Sequence, residues 1–428
     1  MREVRVRNSM FRTHVVVRAI AVACLLSSLS VVGLAQAGSV DPTFGHHGIF
    51  TTNFATCCGG VNAIALQSDG KILVGGQAQI TRLVGVIFRL NPNGTLDTTF
   101  GSHGMVTISL GSIGASVGGL AVQSDGKIVA SVMGVFVSRG NVTRLNANGS
   151  VDTTFGTNGI ASISGLAPNG PVLLQPDGKI LVAGREFASG LLARLNSNGQ
   201  LDSTFGSSGV AVQLAPSSQL ALLSNGQILA SSASSPVQGV TRYNSNGSVD
   251  HSFGSLGQAA STDAPASVVV QTNGAILAAG MSITGVAMPT IFTGNPTGFG
   301  IMRFTSSGSV DRTFGSQGGV ITAFPGMNIG GIAAIALQTN GDIVAAGNAG
   351  FAPSNQSQIT SSFALARYLS GGQLDTTFGN GGRVTTSFGS SNVAFIAAMA
   401  IQSDGKIVVA GETGDAVGNI AVARYLAQ

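Results

Sequence analysis

Beyond the first forty residues, apolar positions fall in short runs that return in a fixed order. An alternating run such as Ala63-Ile64-Ala65-Leu66 leads through Gln67-Ser68-Asp69-Gly70-Lys71 into a second run, Ile72-Leu73-Val74. Two apolar runs around Asp-Gly or Asn-Gly predict a β-hairpin, because a type I′ turn needs positive φ at both central residues. The same turn recurs at Asp125-Gly126, Asp177-Gly178, Asn225-Gly226, Asn273-Gly274, Asn340-Gly341 and Asp404-Gly405. Asp and Asn exchange there, so the requirement is conformational. A loop of variable length follows, then a third strand ending in Arg and an apolar residue, as in Phe88-Arg89-Leu90 and Ala366-Arg367-Tyr368. A second tight turn, typified by Asn91-Pro92-Asn93-Gly94, delivers a fourth strand, predicted over the phrase Asp-x-(Thr/Ser)-Phe-Gly. We call these strands a, b, c and d.

The phrase occurs seven times, beginning at Asp41, Asp97, Asp152, Asp202, Asp250, Asp311 and Asp375, at spacings of 48 to 64 residues. Seven four-stranded antiparallel units in sequence predict an all-β fold, a seven-bladed β-propeller. Every c strand carries one arginine: Arg89, Arg144, Arg194, Arg242, Arg303, Arg367 and Arg424. Six of them precede an Asp of the phrase by eight residues. Arg424 has no such Asp after it, and Asp41 has no c strand before it. The two orphans match. The N-terminal strand around 39–45 is therefore expected to dock beside 422–426 and complete the last blade, removing the exposed edges that an open array would keep.

Composition agrees with many short strands and tight turns: 62 Gly, 9% charged residues and no Trp. The first 37 residues read differently. Arg2, Arg5, Arg7, Arg12 and Arg18 precede an apolar run over 19–34, closed by Ala35-Gln36-Ala37, the pattern of a secretory signal peptide. The expected domains are a signal peptide over 1–37 and a single propeller over 38–428. Five of the 21 basic residues and one of the 17 acids lie in the leader, leaving sixteen of each. The propeller is thus formally neutral, with no electrostatic footprint for nucleic acid. No second membrane-span candidate follows, so the expected product is a monomer, secreted or periplasmic, with the choice between those destinations left open. Cys57 and Cys58 are adjacent and close only a strained ring, so they read as two thiols and not a structural disulfide.

At these residues the chain resembles the delta-60 repeat family of bacterial secreted proteins. The resemblance rests on Leu374-Asp375-Thr376-Thr377-Phe378-Gly379, on Gln402-Ser403-Asp404-Gly405-Lys406-Ile407-Val408-Val409-Ala410-Gly411 and on Ala423-Arg424-Tyr425. It covers essentially the whole chain after the leader and weakens in the fourth repeat, at Leu223-Ser224-Asn225-Gly226-Gln227 and Ser231-Ser232. More distantly the chain is similar to NHL-type propellers. The resemblance implies a propeller and no assigned reaction.

Candidate chemistry is sparse. Seven of the sixteen acids belong to the repeated phrase and five (Asp69, Asp125, Asp177, Asp342 and Asp404) to the a–b turns. Seven repeated Asp residues read as structural, pairing with the c-strand Arg or capping the turn, and the phrase's Phe residues as packing between blades. Glu186 and Glu412 follow b strands at what read as equivalent places in the third and seventh blades. His46, His47 and His103 fall just after Phe-Gly, in what reads as the d–a connection, where other repeats carry Asn or Ser. No nucleophile elbow, phosphate-cradling loop or zinc-spaced set is present, so no catalytic residue, metal or cofactor is expected.

Length variation is concentrated in the b–c loops. The fifth spans 281–300 and the sixth 348–362, whereas the third is brief. Binding usually resides in variable loops on a rigid scaffold. The expected binding residues are Met288, Ile291, Phe292, Phe299, Phe351 and Asn355. The favoured reading is non-enzymatic binding of an extracellular or surface protein or glycan through these loops. A structural or passenger module without a specific ligand, and a lyase- or hydrolase-type propeller enzyme, are the alternatives.

Overall fold

A computed structural model describes residues 36–52, 59–111, 114–134, 140–163, 167, 170–186, 189–213, 216–233, 238–261, 264–281, 298–353, 359–388, 393–414 and 419–428. The chain divides into Met1–Gln36 and Ala37–Gln428. The second unit is all-β, with no helix among its described residues. It comprises seven four-stranded antiparallel sheets, each in the spatial order a-b-c-d. In blade 1, a is Gly59–Leu66, b is Ile72–Gln79, c is Leu83–Leu90 and d is Met105–Ile108.

The repeated phrase is not strand d. It forms the connection before it, and d is the short run that follows. The physical cause lies in the Asp: Asp97 Oδ1 accepts both the Thr99 amide (3.1 Å) and its hydroxyl (2.6 Å), which bends the backbone out of extension. The Gly after each Phe then takes φ of 52–55°. A Cβ there would meet the carbonyl oxygen four residues on at 1.9–2.4 Å, so only glycine fits.

Ring closure follows the predicted pairing, with the register extended. Blade 7 takes a from Ala394–Ile401, b from Ile407–Thr413, c from Asn419–Tyr425 and d from Ile49–Thr52. Ile49 lies opposite Ala423 and Thr52 opposite Ile420. Upstream, Gly38 N donates to Leu426 O (2.8 Å) and Leu426 N to Ser39 O (2.9 Å). These reproduce Gly94 N to Asn91 O and Asn91 N to Thr95 O in blade 1, both 2.8 Å. One tight turn is rebuilt from both chain ends.

The hydrophobic core sits between blades. One cluster joins Leu73, Ile87 and Phe100 of blade 1 to Val117, Ile128 and Val132 of blade 2. Another joins Phe44, Val408 and Val422 of blade 7 to Val61, Ile72 and Phe88 of blade 1. Because both faces of every sheet are covered, b strands such as Ile407-Val408-Val409-Ala410-Gly411 are buried without interruption and lose the alternation of a half-exposed strand. Each phrase contributes one Phe buried to 0% exposure, and full burial of such a ring stabilises by roughly 1.5–3 kcal/mol.

Candidate functional site

The a–b turns and c–d connections emerge at one end of the blades; the b–c loops and d–a connections emerge at the other. At the first end each blade carries the same cluster. The c-strand Arg donates from Nε to the Asp at 2.7–2.9 Å in all seven pairs: Arg89–Asp97, Arg144–Asp152, Arg194–Asp202, Arg242–Asp250, Arg303–Asp311, Arg367–Asp375 and Arg424–Asp41. Its guanidinium carbon stands 4.5–4.8 Å from the centroid of the phrase's Phe, a cation–π contact. Its Nη1 donates to a turn carbonyl of the next blade, Arg144 to Ser197 and Arg242 to Ser306 among them. The cluster is a joint between blades.

Electrostatics keep these carboxylates ionised. The Thr154 hydroxyl holds Asp152 far below the usual carboxylate range against the opposing effect of burial, and Thr204 does the same for Asp202. Asp250 is held at about 2, by the Ser252 hydroxyl first, with Arg242 and Gln227 adding to it. For Asp41 and Asp97 burial is the largest influence and pushes upward, yet the hydroxyl and amide of Thr43 or Thr99, with the Arg, outweigh it. Such groups carry no proton to give near neutral pH.

The histidines belong to this same end, in the c–d connection and not the d–a connection. His47 and His103 occupy one left-handed turn position per blade, at φ 53°, which Asn158, Ser208, Leu256 and Gln317 fill elsewhere. The His46 and His47 rings meet edge-on at 4.2 Å. Among the described residues no three His, Cys, Asp or Glu side chains converge on one point. Cys57 and Cys58 lie outside the described residues.

At the opposite end the expected binding residues separate. Met288, Ile291, Phe292 and Asn355 lie outside the described residues. Phe351 ends the b strand Ile343–Phe351 of blade 6 and is 47% exposed. Phe299 is corrected. It opens the c strand Phe299–Phe304 of blade 5 opposite Thr322, is fully buried, and packs edge-on to Phe324 at 4.9 Å. Phe395, which sequence reasoning missed, is 45% exposed on the a strand of blade 7. Its signal was available: it stands where other repeats place Gly60, Ser116 and Gly331.

The two glutamates are not equivalent. Counted from the first Ile of each b strand, Glu412 aligns with Gln77, Arg185 and Asn348, whereas Glu186 aligns with Thr413. Glu412 Oε1 accepts the Val61 amide of blade 1 at 3.2 Å. Burial pushes its carboxyl above the ordinary value, and that hydrogen bond offsets part of the shift.

The a strands of all seven blades line the central channel, where a cavity of about 520 Å³ lies toward the b–c end. In five blades a β-bulge leaves one a-strand residue out of the pairing: Asn62, Gly118, Ala266, Ala333 and Ala397. Asn62 Nδ2 bridges to blade 2, donating to Ser116 Oγ (3.0 Å) and Val117 O (2.8 Å). Polar lining comes from Asn62, Gln77, Ser116, Ser217, Ser218, Gln219 and Ser267; Gly, Ala and aliphatic side chains supply most of the rest. Among the described residues none of those lining the cavity is ionisable. No helix among the described residues is long and apolar enough to cross a membrane.

Sequence comparison matches seven segments, 67–100, 123–155, 175–205, 223–253, 284–314, 338–378 and 402–428, to the family described as "Domain of unknown function (DUF5122) beta-propeller". No curated protein sequence matches the chain. Among solved structures it is similar to a catalytically inactive virginiamycin B lyase from Staphylococcus aureus with quinupristin (13% identity, 88% of this chain and 99% of that one, TM-score 0.44). It is also similar to hydrazine synthase of Kuenenia stuttgartiensis (11%, 69% and 76%, TM-score 0.45) and to the Dos1 propeller (11%, 88% and 96%, TM-score 0.44). At these levels none of the three informs activity. With one matched segment in each of its seven blades, together more than half of its residues, the chain belongs to the DUF5122 β-propeller family.

Proposed function

We propose that this protein is an exported propeller of the delta-60 repeat type that binds a neutral glycan, without catalysis, at the b–c end of its channel. The observation that carries this reading is the chemistry of the channel wall. A cavity of about 520 Å³ falls within the usual range for small-ligand sites. Its described lining offers amide and hydroxyl groups and no ionisable side chain. Such a wall hydrogen-bonds an uncharged, hydroxyl-rich ligand without charging the cost of burying an ion. Phe351 and Phe395 are exposed at the same end of the blades and offer apolar ring faces there. An acid–base mechanism would need groups that the described residues of this wall do not supply, which favours binding over the enzymatic reading. Export rests on the basic and apolar leader pattern, with the periplasm or the exterior as destination. Action as a monomer accords with the closed ring and with outer strands of only three or four residues, which are poor templates for edge pairing.

The test is a glycan array probed with the exported protein, followed by titration calorimetry on any hit. The variant Gln77→Ala/Gln219→Ala should lose affinity at least tenfold while its Tm stays within about 2 °C, since Gln219 is exposed and Gln77 only half-buried. Loss of binding only when 281–300 is shortened would move the site to the fifth-blade loop. No glycan bound, or binding indifferent to both changes, would sink the reading and favour a structural role.

A further inference from the structure

We propose that the leader is cleaved after Ala35, two residues before the site that the Ala35-Gln36-Ala37 pattern marks, so that Gln36 and Ala37 remain part of the propeller. This inference rests on the export reading above. In each blade the amide of the Gly after Phe donates to a turn carbonyl of the following blade: Gly101 to Asn148 (2.9 Å), Gly156 to Asn198 (2.7 Å) and Gly206 to Asn246 (2.7 Å). In blade 6 the donor is Gly379, and its acceptor is Ala37 O at 2.7 Å. Ala37 therefore fills the place of Asn93, Asn148 or Asn198. It is 8% exposed and packs in the core between blades 6 and 7 with Phe378 and Tyr425.

Cleavage after Ala37 would remove that carbonyl and with it the blade-to-blade hydrogen bond that it accepts from the Gly379 amide. It would also place a new α-ammonium at Gly38, whose amide closes the split turn on Leu426 O. A leader peptidase needs small residues at the first and third positions before the cut, and Gly33-Leu34-Ala35 satisfies this as well as Ala35-Gln36-Ala37 does. Hydrolysis of the Ala35–Gln36 bond by water puts a carboxylate on Ala35 and a free amine on Gln36. A terminal Gln can then cyclise, its amine attacking its own side-chain amide with release of ammonia.

Intact mass and N-terminal peptide mapping of the full-length chain, expressed in an exporting bacterial host, test the proposal. A first residue of Gln36, free or lighter by one ammonia, is expected. An exported protein beginning at Gly38 would overturn this inference alone. An uncleaved cytoplasmic chain would overturn both it and the export reading. As a second measurement, 36–428 and 38–428 are made directly and melted; the shorter protein should melt lower by about 2–5 °C. Equal Tm values would remove the structural argument for keeping Ala37.

Discussion

The two ends of the blades are built from the same repeat and have diverged to very different degrees. At the c–d end, seven copies of Arg, Asp, Thr/Ser and Phe hold one geometry, with ion pairs agreeing to within 0.2 Å. At the b–c end, equivalent b-strand positions carry Gln77, Met133, Arg185, Asn348 and Glu412. Uniformity marks the end that every blade needs in order to meet its neighbour. Divergence marks the end released from that duty, and there a candidate site is worth seeking.

The contrast is broken most severely by removing the strand that completes it. A chain starting at residue 53 loses strand d of blade 7 and the Asp41 partner of Arg424, and should aggregate or lose on the order of 10 °C in Tm by calorimetry. An unchanged Tm would mean the ring does not depend on closure. A single joint comes next. Asp152→Ala leaves Arg144 buried and unpaired, which should cost about 3–5 kcal/mol in urea unfolding, whereas Arg144→Met/Asp152→Val should recover much of that. A double variant no better than the single one would show that the joint acts through more than charge pairing.

All seven joints respond to pH in the same direction. The folded-state pKa values of these Asp residues are depressed, so their stabilisation is present above the unfolded value of 3.8 and is lost as pH falls through the folded values, about 2 for Asp250. Tm should hold from pH 7 to about 5 and drop steeply between about 4 and 2. A gradual decline beginning above pH 5 would contradict this. Glu412 has the opposite sign: its raised pKa means the ionised form is disfavoured on folding, most fully above that pKa. Glu412→Gln, which can still accept the Val61 amide, should raise Tm by about 1–2 °C at pH 8. That gain should fade as pH falls toward 4.5, the ordinary value for the group. A loss of Tm at pH 8 would show that the charge serves the fold.

Blade number, hairpins and closure were legible because turn chemistry and pairing leave periodic traces. Phase was not. Thr and Phe favour strands, so the phrase read as one, and the bend comes from a side-chain bond, Asp97 Oδ1 to Thr99, that composition does not display. Phe299 lies just past a stretch rich in Gly, Pro and Thr, where hydropathy does not separate the last loop residue from the first strand residue. Glu186 and Glu412 differ by one position along the b strand, which shows only when each strand is counted from its first Ile. Phe395 is visible only when a strands are aligned residue by residue, where it replaces Gly60, Ser116 and Gly331.

The split turn of blade 7 has a consequence for how the order of the blades is to be understood. Leu426 and Ala427 on one side, and Ala37 and Gly38 on the other, make in two pieces the turn that Asn91–Gly94 makes in one. The ring is therefore nicked and not gapped, and its blades have a cyclic order in which first and last are labels. A permuted chain, joined across blade 7 by a short Asn-Gly linker and opened between Asn198 and Gly199, would present the same seven interfaces from a different starting residue.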